Sequence, residues 1–300
     1  MEKIDAVILT EPRYIKDSKE DYIHNVFLED QLVIDALISK GFNATRLSWD
    51  NIDFDWRQTK SIVFRSTWDY FHRFEEFFIW LEKVSKVTQL INSKALIYWN
   101  LDKHYLIELE TKGIRIPQTY FVEKGEKQSL SSILKLLLWE EVVLKPCISG
   151  GGRHTYRFKI ENSNEYEAIF SELIENESMM IQPLQKQVLT KGEVSIMMFN
   201  GIYSHAILKI AKPGDFRVQD DFGGTIHHYK PSNEEIEFAK HSINACPEVP
   251  TYARVDYFWD NDNELALAEL ELIEPELWFR EHKEAAELMA DGIIQKLKAI

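Results

Sequence analysis

Lys145 ends a short apolar run, Glu141-Val-Val-Leu-Lys-Pro146, and is followed at once by Cys-Ile-Ser149-Gly150-Gly151-Gly152-Arg-His-Thr155. A lysine at the end of a strand keeps its stem desolvated and exposes its ammonium, a point charge suited to a phosphate. Three consecutive glycines let the backbone come close to a ligand and present N–H groups to phosphate oxygens, and Ser149 adds a hydroxyl. No Gly-Lys-Ser/Thr follows the glycines, so this is not a Walker loop. A strand rather than a helix follows, so it is not the dinucleotide fingerprint either. A flexible hairpin turn accounts for the stretch equally well when it stands alone.

The second chemical stretch lies far downstream. Glu269 and Glu271 alternate in Glu-Leu-Glu-Leu-Ile-Glu274-Pro275, so on a strand both point to one face. Asp256 lies on the neighbouring run, with Arg254 two residues before it on the same face. Carboxylates converging on one pocket repel unless a cation sits among them, and hard oxygen ligands suit Mg²⁺ or Mn²⁺ bridged to phosphates. A solvated outer sheet face is the competing account. Arg254 beside such a metal would serve a phosphate or a carboxylate.

The elements that must position these groups read as an α/β chain with α+β lobes. Residues 3–10, 42–48 and 61–66 have strand character, whereas 28–40 and 72–84 carry apolar residues at helical spacing, the first stopping at Gly41. That alternation predicts a parallel sheet with crossover helices over residues 1–95. A small lobe is expected over 96–183, with a helix at 102–112, strands at 117–122, 141–146, 155–160 and 179–183, and helices at 131–138 and 165–175. A larger lobe is expected over 184–300. There Asn200-Gly201 is a hairpin turn, Asp260-Asn-Asp-Asn263 joins a second pair of strands, and a last helix begins near Glu281.

The formal net charge is −14. So acidic a surface repels phosphate backbones and anionic lipid, which argues against nucleic acid or a membrane as partner. The two cysteines, Cys147 and Cys246, show no metal spacing and read as free thiols of a reducing compartment. The first ten residues resemble a strand rather than a signal peptide, and no apolar run reaches bilayer length. A cytoplasmic location is the expectation.

Lys145-Pro with Ser-Gly-Gly-Gly, the later Gln182-Pro183, and the terminal Glu-Leu-Glu-Leu-Ile-Glu-Pro together resemble the ATP-grasp superfamily. Within its glutathione synthetase-like branch, the chain is similar to the D-cycloserine cyclo-ligase family. Arg65-Ser-Thr-Trp-Asp-Tyr70, Trp99-Asn-Leu-Asp-Lys103, Gly214-Asp-Phe-Arg-Val-Gln219 and Phe222-Gly-Gly224 carry that likeness. The resemblance implies an ATP-grasp fold preceded by a parallel α/β domain, with ATP and Mg²⁺ (or Mn²⁺) held between the two later lobes. Lys103 and Lys145 look like the family's two ATP lysines, and Gly150 to Gly152 like the loop that closes over the phosphates. Gln182, Pro183 and Leu184 resemble the strand that meets the adenine edge, with Glu193 near ribose or adenine. Arg217 resembles the arginine at the terminal phosphate, and Asp256, Glu269 and Glu271 take the magnesium positions. Many relatives carry Glu-x-Asn at the last pair, where this chain has Glu-x-Glu.

Arg65, Ser66, Thr67 and Asp69 follow a buried strand of the first domain, where α/β folds place ligands, and are expected to serve the substrate side. The implied activity is a carboxylate–amine (or carboxylate–thiol) ligase acting on small molecules through an acyl-phosphate. Lys145, Arg217 and Arg254 would act on the transferring phosphoryl group. A phosphotransferase using the same ATP site and a nucleotide-binding protein without turnover are the alternatives. Relatives are often dimers, so a homodimer stays open.

Overall fold

A computed structural model describes residues 3–218 and 223–299, so Gln219 and Phe222 of the quoted segments lie outside the described residues. The first sheet is parallel, with β1 (Ile4–Thr10), β2 (Ala44–Ser48), β3 (Thr59–Ser66) and β4 (Gln89–Ile91) in the order β2-β1-β3-β4. The crossovers α1 (Asp21–Ser39) and α2 (Phe74–Val84) cover it. The continuous apolar runs of β1 and β3 follow from burial on both faces. Helix α1 starts earlier than the sequence reading put it, and the short β4 went unread.

Two short helices, α3 (Lys94–Asn100) and α4 (Tyr105–Thr111), lead into the second sheet. The strand expected at 117–122 is confined to β5 (Tyr120–Val122), and α3 was not foreseen. The sheet is antiparallel, with β6 (Glu141–Pro146), β7 (Tyr156–Lys159) and β8 (Met179–Pro183) in the order β5-β8-β6-β7. Helices α5 (Leu130–Leu137) and α6 (Glu167–Asn176) bury Leu130, Ile133, Phe170 and Ile174 against one face. Its other face turns toward the third sheet.

A single turn, α7 (Val188–Lys191), precedes the third sheet: β9 (Glu193–Phe199), β10 (Ile202–Ile210), β11 (Thr225–Tyr229), β12 (Tyr252–Trp259) and β13 (Leu265–Glu271). They lie antiparallel in the order β11-β10-β9-β12-β13. The Asn200-Gly201 hairpin has φ of 50° and 81°, the left-handed pair that this dipeptide favours. Helix α8 (Asn233–Asn244) opens with a capping box between Ser232 and Glu235, a signature present in the sequence yet unused in its reading.

Alternation along these strands sorts the side chains. Val194, Ile196, Ala253, Val255, Leu270 and Leu272 enter the core shared with α4 and α8. Glu193, Ser195, Arg254, Asp256, Glu269 and Glu271 are the intervening residues and face the opposite way. The last helix, α9 (Glu284–Leu297), packs on α1 through Val33, Leu37, Ala285, Met289 and Ile293. It thereby ties the end of the chain to the first sheet. At this seam the Glu29 carboxylate accepts the amides of Phe279 and Arg280 at 2.9 and 3.0 Å.

Candidate active site

The second and third sheets face each other across a cleft of about 660 Å³, and the first domain closes one end. Lys103, Lys145, the glycine loop, Arg217, Arg254, Asp256, Glu269 and Glu271 all line this one cavity. So do Ser149, Gln182, Pro183, Leu184 and Glu193.

On one wall, β6 delivers Lys145 at its end, and the chain then turns through Gly150, Gly151 and Gly152. Gly151 and Gly152 have φ of 56° and 70°, a region that L side chains rarely adopt. A Cβ on Gly150 would stand 2.7 Å from the Phe71 ring. The backbone here therefore passes closer to the first domain than any larger residue allows. The Lys145 ammonium makes no hydrogen bond or ion pair among the described residues. Burial lowers its pKa, against the pull of Glu269 and with the help of Lys103.

Lys103 joins the two walls. Its Nζ donates to Ser149 O at 2.7 Å and pairs with Glu269 Oε1 at 2.9 Å. Burial alone would lower its pKa, but Glu269, Glu271 and Glu274 together outweigh that and raise it. At the far end, Gln182 Nε2 donates to Thr119 Oγ1 at 2.9 Å, beside Pro183 and Leu184.

The opposite wall is the acidic hairpin. Asp256 stands in register with Glu269, and Arg254 with Glu271. Arg254 grips Asp256 through Nε at 3.0 Å and Nη2 at 2.8 Å, and its Nη2 also bonds Glu271. Lys209 reaches Glu193 at 2.7 Å and Asp256 at 3.4 Å. Burial alone would raise Asp256, yet Arg254 and Lys209 hold it down at about 2. Glu269 is likewise kept low by Lys103 and Lys145 against its burial. Glu271 behaves oppositely. Burial pushes it up to about 8 in spite of Arg254, with Asp256 and Glu269 adding to the rise. Glu274 rises to about 7 by burial, although Tyr70 bonds it.

The wall thus carries more buried carboxylate than its own cations neutralise, and every donor is a hard oxygen. That chemistry fits a divalent cation of the magnesium type. Among the described residues the oxygens of Asp256, Glu269 and Glu271 do not all come within 4.8 Å of one another. Arg254 and Lys103 hold them in pairs instead.

Three of the residues expected on the substrate side lie outside this cleft. Arg65, Ser66 and Thr67 are buried behind the cleft and do not line it. Arg65 donates to Pro275 O at 2.7 Å and faces Asp30 at 3.4 Å, and Ser66 Oγ lies 2.8 Å from Asp30 Oδ2. The segment after β13 packs over the end of β3, and Arg65 and Ser66 line a smaller cavity that shares Tyr22, Trp68 and Glu276 with the cleft. Asp69 does line the cleft, held by Trp49 Nε1 at 2.7 Å and Arg73 Nη1 at 2.9 Å. Arg217 also lines it, with its guanidinium 2.9 Å from Asp215.

The sequence reading missed Lys209, although the Asn200-Gly201 turn sets it opposite Glu193. Glu11, Arg13, Trp68, Phe71 and His72 also line the cleft. Trp68 belongs to the quoted Arg65–Tyr70 segment, whereas the other four carry no local motif and meet only through the packing of the first domain.

Comparisons with known proteins match two families along the chain. The model of the D-cycloserine synthetase DcsG N-terminal domain matches residues 7–92, and that of the prokaryotic glutathione synthetase ATP-grasp domain matches residues 115–246. The cycloserine biosynthesis protein DcsG of Streptomyces lavendulae is 27% identical, over 89% of this chain and 93% of that one. The crystal structure of D-cycloserine synthetase DcsG superposes with a TM-score of 0.84 at 25% identity, covering 97% of this chain and 99% of that one. D-alanine–D-alanine ligase from Bacillus anthracis gives 0.66 at 14% identity, over 99% and 98% of the two chains, a likeness of fold. Among the described residues no helix is long and apolar enough to cross a membrane.

Proposed function

The chain belongs to the ATP-grasp superfamily, and from that premise we propose that it is an ATP-dependent ligase joining a small, amino-acid-like carboxylate to an amine through an acyl-phosphate. The observation that carries this reading is the single cleft in which Lys103, Lys145 and the glycine loop face the Asp256/Glu269/Glu271 wall. A triphosphate fits between a cationic wall with free backbone N–H groups and an acidic wall only if a cation travels with it.

Lys145, with no anion bonded to it, is the charge available to a phosphate. Lys103, which already bonds the loop at Ser149, positions that loop over the nucleotide. Gln182, Pro183 and Leu184 form the adenine end, with Glu193 toward the ribose. Arg217 and Arg254 stand where charge grows as the substrate carboxylate attacks the γ-phosphorus and ADP leaves. Magnesium, bound by Asp256, Glu269 and Glu271, would draw negative charge off the phosphate oxygens. Closure of the glycine loop excludes water, which would otherwise hydrolyse the acyl-phosphate before the amine displaces phosphate. The wall from the first domain, with Glu11, Arg13, Trp68 and Asp69, lies where the carboxylate substrate would be recognised.

The test is a phosphate-release screen with ATP, magnesium and pools of amino acids and small amines. A ligase of this type yields ADP and phosphate only when both co-substrates are present. AMP and pyrophosphate, or a product that retains phosphate, would refute it, the latter in favour of a phosphotransferase.

A further inference from the structure

Cys147 and Lys103 are neighbours through the backbone: the Lys103 amide donates to Cys147 O at 3.0 Å. This brings the thiol beside the residues flanking that lysine, a juxtaposition that sequence spacing does not reveal. Ligand atoms of Asp102, His104 and Cys147 all lie within 4.8 Å of one another. None of the three lines the nucleotide cleft. We propose that Asp102, His104 and Cys147 form a binding site for one transition-metal ion of the zinc type. The proposal stands apart from the ligase reading.

The imidazole supplies the first argument. His104 Nδ1 is 2.5 Å from Asp102 Oδ1, and Nε2 is 3.0 Å from Glu123 Oε1. A neutral imidazole has one N–H and so serves only one of the two carboxylates. With that proton on Nε2, facing Glu123, the Nδ1 lone pair looks at a carboxylate oxygen. Two such groups so close repel unless a cation joins them, either the second proton of an imidazolium or a metal ion in its place, which would spread the 2.5 Å approach to the wider separation of two ligands on one ion. Glu123 then holds the place of the outer carboxylate that orients a metal-bound histidine.

The donor set supplies the second. One nitrogen, one oxygen and one sulfur suit Zn²⁺, with water completing the tetrahedron, whereas magnesium takes oxygens alone. The ligands are also fixed before any ion arrives. Asp102 Oδ1 accepts the His104 amide at 3.0 Å, the Cys147 amide donates to Ser178 O at 2.9 Å, and the imidazole stacks on Phe121 at 4.3 Å. Asp102 and His104 are partly exposed while Cys147 is buried, so an ion enters from the solvent side. An ion there would clamp the turn carrying Lys103 to the end of β6, just ahead of the glycine loop.

The experiment titrates Co²⁺ into the full-length, chelator-stripped protein and follows the cobalt–thiolate charge-transfer absorption. The expected result is a band that saturates at one equivalent and is displaced by Zn²⁺. Cys147→Ser should abolish it. His104→Gln should weaken binding at least tenfold, and Glu123→Gln, as a positioning residue, roughly 10- to 100-fold. Glu269→Gln should leave the band unchanged. Absence of the band in the native protein overturns the proposal. So does a band that persists unaltered in His104→Gln, whose partly exposed position makes it the variant to rely on should Cys147→Ser fail to fold.

Discussion

Replacing Lys103 by Met separates the two roles that the structure gives this side chain. The lysine bonds Ser149 O at 2.7 Å and pairs with Glu269 at 2.9 Å, with only 8% of its side chain exposed. Removing one partner of a buried pair costs about 3–5 kcal/mol. The Glu269 side chain keeps 31% exposure to the cleft, so solvent screens part of that cost and roughly 2 kcal/mol remains. The loss depends on pH. In the native protein Glu269 sits below its ordinary 4.5, so its stabilisation is present above that value and fades as pH falls through the folded pKa. Without Lys103, burial dominates and the folded pKa rises, making the carboxylate a liability above 4.5 and harmless below it. Lys103 itself, raised above 10.5, contributes fully throughout the acid and neutral range. Urea unfolding of the metal-free protein should therefore show a gap between native and variant that widens from pH 4 to pH 7. Adding Glu269→Gln should close most of that gap, because no buried charge is then left unpaired. Nucleotide affinity should not recover in the double variant. Loss of the charged bond that holds the loop over the phosphates, worth about 1.5–3 kcal/mol, weakens binding by roughly 10- to 150-fold. A Lys103→Met protein that binds ATP within about threefold of the native one would refute the placement of the phosphates.

Three further predictions follow from the packing. Gly192 has φ of +80°, and a Cβ there would stand 2.4 Å from Lys209 O, so Gly192→Ala should cost about 2–5 kcal/mol from strain and overpacking together; an unchanged urea midpoint would contradict this. Gly150→Ala meets the Phe71 ring at 2.7 Å, so it should raise the KM for ATP with little loss of stability. The smaller side chain in Gly150→Ala/Phe71→Leu should restore it, and failure to do so would count against that contact. Asp256→Asn breaks the charged bonds to Arg254 and Lys209, but Glu271 and Glu193 still pair those cations, so it should destabilise the fold by about 1.5–3 kcal/mol at neutral pH, read from the urea midpoint; a native-like midpoint would contradict the network.

Much of this molecule is legible in its sequence, for physical reasons that differ from place to place. Period-2 alternation put Glu269 and Glu271 on one face, and the Asn200-Gly201 turn fixed the β9–β10 hairpin, because both signals are local. The small helix α3 and the three-residue β4 and β5 were unread or misjudged, since short elements owe their form to tertiary contacts rather than to their own propensity. The strand-end rule pointed to Arg65 and Ser66 but does not say which cavity the end of β3 opens on. Here Pro275, bonded by Arg65, and Trp68, bonded to Glu274 O at 2.8 Å, stand between them and the main cleft, and Arg65 and Ser66 line the smaller cavity beside it. Lys209 was missed because its partner Asp256 is distant in sequence, Glu11 because only the packing of the first domain brings it to the cleft, and the cluster of Cys147 with His104 was hidden for the first of these reasons.

The decisive measurement is a crystal structure with a non-hydrolysable ATP analogue and Mn²⁺, read by the anomalous signal of the metal. The account predicts a manganese peak bounded by Asp256, Glu269 and Glu271, with the γ-phosphate between it and Lys145. Manganese or nucleotide bound elsewhere, with this cleft empty, would contradict it.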